Sequence, residues 1–166
     1  MLRSSLMRTT SFEEIFAALA SRANIPLRAV KAFDPGLTRA IDGLDASDAV
    51  KAGLHLLNDD LERGHALAQA HEGDKTCDYW HAIVHRREGD FDNAKYWLRQ
   101  VGRHPVLTRV HDGGPSAAVV FVDRCRDAKP NERPLLEAIQ KREMLGLIEY
   151  ARGPADAVDS KRRRTP

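Results

Sequence analysis

The chain has 166 residues, a length that suits one domain able to bury roughly 70% of the surface its unfolded form exposes. Its 26 basic and 24 acidic residues leave a net charge of +2, which excludes the broad positive field that steers proteins to nucleic acid or to anionic membrane surfaces. No apolar run approaches the ~18 residues of a spanning helix, and Cys77 and Cys125 are too few for a disulfide framework, so a soluble cytoplasmic protein with reduced thiols is expected.

The first ten residues carry hydroxyls with Arg3 and Arg8 and no acid, a composition resembling the start of an organellar transit peptide. A capped helix follows at once, so a disordered polar N-terminus is expected over 1–10. Residues 11–153 read as one all-α domain, and 154–166, ending in Lys161 to Arg164, as a disordered basic tail.

Ser11 stands three residues before Glu14, the spacing of a capping box. Phe12, Ile15, Phe16, Leu19 and Ala20 then recur with helical period, which predicts a helix over 11–22. Between Asn24 and Leu44 the signals are broken. Pro26 opens one turn, Asp34, Pro35 and Gly36 interrupt it, and Leu37, Ala40, Ile41 and Leu44 suggest a short helix. Ser47 caps a helix expected over 47–57, Asn58 to Asp60 mark a turn, and Leu61, Leu67 and Ala68 resume the pattern over 60–71.

Trp80, Ile83 and Val84, with Cys77 beside them, share one arc of a helix over 78–88. Phe91, Ala94, Trp97, Leu98 and Val101 share one arc of a helix over 91–102. Joined at Gly89, the two form an αα-hairpin with Trp80 and Trp97 as its core anchors. Gly102, Pro105 and Gly113 to Pro115 bracket a loop long enough to carry function. The run from Ala117 to Val122 is apolar enough for a strand, but Pro115 suits a helix start and no partner strand is in view, so a buried helix is expected over 116–127. A last helix is expected over 133–151, ended by Gly153 and Pro154.

A shift of thirty residues lays His55 on His85, Asp60 on Asp90, Leu61 on Phe91, Gly64 on Ala94 and Leu67 on Trp97, the sign of stacked helical hairpins. Ala82, Gly89, Ala94, Leu98 and Pro105 resemble a tetratricopeptide hairpin, although the large aromatic stands two positions later and that family's period is about 34 residues. The resemblance implies a helix-turn-helix geometry and, as the usual use, a groove for a peptide. The strings Tyr79 to Ala82, His85 to Phe91, Asn93 to Trp97, Val101 to Val106 and Phe121 to Cys125 resemble those of an uncharacterised family of small helical proteins of bacteria and fungi, and imply no activity.

Two functions follow as expectations. One is a non-catalytic module whose stacked hairpins bind a protein or peptide. The other is a His- and carboxylate-lined pocket for a divalent metal or a small acidic ligand, with hydrolysis as a conceivable use. His81, His85 and Glu88 lie on one helical stripe at i, i+4 and i+7, where two imidazoles one turn apart can chelate and a carboxylate can be the third ligand. His65 is a further metal candidate from the preceding helix. His71, Asp59 and Asp60 are its neighbours there, and Asp90, Asn93 and His104 complete the candidate ligand set. Ala82 follows His81, so the glutamate of the His-Glu-x-x-His motif is absent. Cys125 between Arg124 and Arg126 is a candidate low-pKa thiol, with His104 or His111 as base. Arg86, Arg87, Arg99 and Arg103 form a ridge able to grip an anion or to pair with Glu88, Asp90 and Asp92.

Overall fold

The computed structural model describes residues 10–154, so the expectations for 1–9 and 155–166 lie outside the described residues. Within them are nine helices and no strand: α1 (Phe12–Ala20), α2 (Pro35–Asp42), α3 (Asp48–Leu57), α4 (Leu61–Gln69), α5 (Lys75–Glu88), α6 (Phe91–Val101), α7 (Pro105–Val110), α8 (Pro115–Arg126) and α9 (Arg133–Arg152). The fold is all-α, as expected. No helix here is long and apolar enough to cross a membrane.

Side-chain caps start most of these helices. The capping box of Ser11 and Glu14 opens α1, and Ser47 caps α3. Asp34 accepts from Gly36 N, and Pro35 occupies the first turn of α2. The trio expected to end the turn opened at Pro26 thus also starts the short helix expected after it. One correction concerns the stretch expected to be a loop. His104 accepts the Val106 backbone N–H on its own Nδ1 at 3.2 Å, Pro105 follows at N1, and α7 forms.

The thirty-residue offset is visible in the backbone. Asp59 (φ 58°) and Gly89 (φ 91°) each take a left-handed conformation one residue before the cap. The caps Asp60 and Asp90 donate backbone N–H to His55 O and His85 O at 2.9 and 2.8 Å, and their side chains accept from Arg63 N and Asn93 N. Two hairpins, α3–α4 and α5–α6, thus turn in the same way.

Helix α5 packs against α3, α4 and α6, while α9 covers α3 and α6 rests on α8. An amphipathic α5 was expected, yet every residue from Thr76 to Arg87 is buried. Trp80 is fully buried, whereas Trp97 is only half-buried and sits at the core's rim. Close approach at Gly53 holds α3 against this core: an added Cβ would lie 2.5 Å from both Ile148 Cγ1 and the Trp80 ring. Gly53→Ala gains about 1 kcal/mol of helix propensity but overpacks a site that cannot yield, at about 1–3 kcal/mol. A lower melting temperature by circular dichroism is expected, and an increase would show that the indole shifts freely.

Candidate metal centre

Three histidines from two helices meet beside α6. One ring nitrogen from each of His65, His81 and His85 lies within 4.8 Å of the others. His81 and His85 share a face of α5 because they stand one turn apart. His65 arrives from α4, with its Nε2 2.8 Å from His81 Nε2. The rings of His81 and His85 stack with centroids 4.9 Å apart, and Trp97 of α6 also stacks on His81 with centroids 4.0 Å apart.

Glu88 stands at the mouth of this cluster. Its Oε2 is 3.3 Å from His85 Nδ1 and its Oε1 is 4.0 Å from His65 Nδ1. His81 and His85 are buried, while the side chains of His65 and Glu88 are 30% and 36% exposed, so the cluster opens to solvent on one side. Burial, then the neighbouring His65 and His85, push the His81 pKa down to about 4. Burial also lowers that of His85, against the opposing charges of Glu88 and Asp90. At neutral pH His81 therefore presents an uncharged ring, the form that binds metals. His81 Nδ1 is buried without a hydrogen-bond partner.

Comparison with protein-family models, curated proteins and solved structures found no match to this chain. What the centre can do follows from its own chemistry: three nitrogen donors, a carboxylate beside them and one side open.

Not every expected ligand belongs to it. Asp90 caps α6, and Asn93 reaches the cluster, its Nδ2 lying 3.2 Å from His85 Nε2. Asp60 instead caps α4 and accepts from Thr38 Oγ1 at 2.9 Å. Asp59 pairs with Arg22 and Arg87, and His71 with Asp48 on the surface. His104 is spent on the α7 cap, 3.3 Å from Thr76 Oγ1 and edge-on to Tyr79 and Tyr150. A groove of about 620 Å³ lined by α7 and α9 includes none of these histidines.

The candidate thiol is not an activated one. Burial raises the Cys125 pKa to about 11, outweighing Arg86 and Arg124, so it is a thiol in the core and not a thiolate. The candidate bases are engaged elsewhere, since His111 Nε2 lies 2.9 Å from Glu143 Oε1. The arginine ridge is also corrected: Arg86 and Arg87 point inward and are buried, pairing with Glu143 and Asp59 and not with Glu88, Asp90 or Asp92.

Sequence reasoning missed the buried carboxylate that organises the inner face of α5. Glu143 takes Arg86 Nη2 at 2.6 Å on one oxygen, and Tyr79 OH at 2.7 Å and His111 on the other. A signal was present: Gln140 and Glu143 stand between Leu136 and Leu147 on one α9 face, polar residues inside an apolar stripe.

Proposed function

We propose that the protein binds a divalent transition-metal ion through His65, His81 and His85. The observation that supports this is the convergence of three imidazole nitrogens within 4.8 Å, two of the rings buried and so held in place. Imidazole suits zinc, copper, nickel and iron, whereas magnesium and calcium take oxygen ligands. Ligands about 2.0–2.1 Å from a tetrahedral ion stand roughly 3.3 Å apart, so small ring rotations close the site. Three protein ligands leave one position for water or a small anion, reached from the open side beside His65. Dispersal of the histidines along an apolar concave surface would have favoured a peptide-binding module instead.

The test is calorimetric titration of Zn²⁺ into the full chain carrying no histidine tag. Saturable 1:1 binding is expected, with a melting temperature that rises with added metal and falls back with chelator. His81→Ala and His85→Ala should each abolish that binding. A parent chain that takes up no stoichiometric Zn²⁺, Co²⁺, Ni²⁺ or Cu²⁺ would sink the proposal.

A further inference from the structure

We infer that Glu88 is the positioning residue of the three-histidine centre, acting through His85. This rests on the metal-binding reading above. Glu88 had been expected as a third ligand on the stripe. Its two oxygens instead face the Nδ1 atoms of imidazoles on two different helices, 3.3 Å from His85 and 4.0 Å from His65. At 3.3 Å the carboxylate accepts N–H from His85, which favours the His85 tautomer protonated on Nδ1 and leaves its lone pair on Nε2. At 4.0 Å it acts on His65 by charge and not by a hydrogen bond. One side chain thus orients His85 and faces the ring that α4 brings to the last turn of α5.

Glu88 is exposed, which makes it replaceable without disturbing the core.

Zn²⁺ titration of the full untagged chain tests this. Glu88→Ala should bind about 10–100-fold more weakly, and Glu88→Gln, which keeps an acceptor for Nδ1–H, should lose less. The visible absorption of bound Co²⁺ should be the same in Glu88→Ala as in the parent, because no ligand is lost. The inference is overturned if Glu88→Ala binds as the parent does or if its Co²⁺ spectrum changes. A parent that binds no metal removes both readings; a parent that binds while the variants match it removes this one alone.

Discussion

Glu143→Gln will destabilise the protein by about 3–5 kcal/mol, because it leaves the Arg86 guanidinium buried without its counter-charge. Arg86 is 2% exposed and Glu143 fully buried, so neither has water as a substitute partner. Gln140 Oε1, 3.3 Å from Arg86 Nη2, is a neutral acceptor and cannot replace a carboxylate. For a chain of this size the loss lowers the melting temperature on the order of 10 °C. The double variant Arg86→Met/Glu143→Gln should recover part of it, since no unpaired charge remains. Urea unfolding decides the matter: a single-variant loss below about 1 kcal/mol would mean that Arg86 is satisfied without Glu143.

The same carboxylate sets an acid limit. Burial raises its pKa, but the Arg86 charge and the His111 and Arg86 hydrogen bonds outweigh that and hold it at about 2, against 4.5 for a free glutamate. A folded-state pKa below the unfolded one means that the unfolded chain takes up the proton first. The stabilisation is therefore complete above pH 4.5 and is lost as pH falls toward 2, on the order of 3 kcal/mol in all. Glu143→Gln should flatten that segment of the stability curve.

Asp59→Gly is the second large effect, and its sign is decided by two opposing magnitudes. Asp59 has a φ of 58°, a conformation that costs an L-residue about 1–2 kcal/mol and glycine nothing. The repeat partner of Asp59 is indeed Gly89. Yet the Asp59 carboxylate receives Arg87 at 2.6 Å and Arg22 at 2.7 Å, and both guanidinium groups are almost wholly buried. Their other hydrogen-bond acceptors are backbone carbonyls: Leu56 O and Pro26 O for Arg87, and Leu57 O for Arg22. Orphaning the pair costs about 3–5 kcal/mol, more than the strain returns. Net destabilisation is expected in chemical denaturation, and a stabilised Asp59→Gly would show that the carbonyls alone satisfy both arginines. Asp59→Asn, which keeps the shape and removes the charge, should also be destabilised.

Half of the histidine cluster could be read directly. His81 and His85 are one helical turn apart, and any helix over that stretch places them together. His65 was within reach only if α4 packed on α5, which the hairpin repeat suggested and the structure shows. Glu88 was found on the right stripe, but spacing says which residues are near a point and not which nitrogen they face. His104 was misplaced because a histidine that caps its own helix looks, in a sequence, like any loop histidine before proline.

What the sequence determined by itself is whatever depends on neighbours within about four residues. The caps at Ser11, Ser47 and Asp90, the αL turn at Gly89 and the apolar periods of α1, α3, α6 and α9 are of this kind, because such interactions form whatever the rest of the chain does. Only the tertiary structure decided that α5 would be buried all round. Periodicity assumes that polar residues face water, whereas Arg86 and Tyr79 find Glu143 57 and 64 positions away, and Arg87 finds Asp59 28 positions back. In a low-dielectric interior those distant partners offset the desolvation that would otherwise keep a charged face outside, and no local pattern announces them.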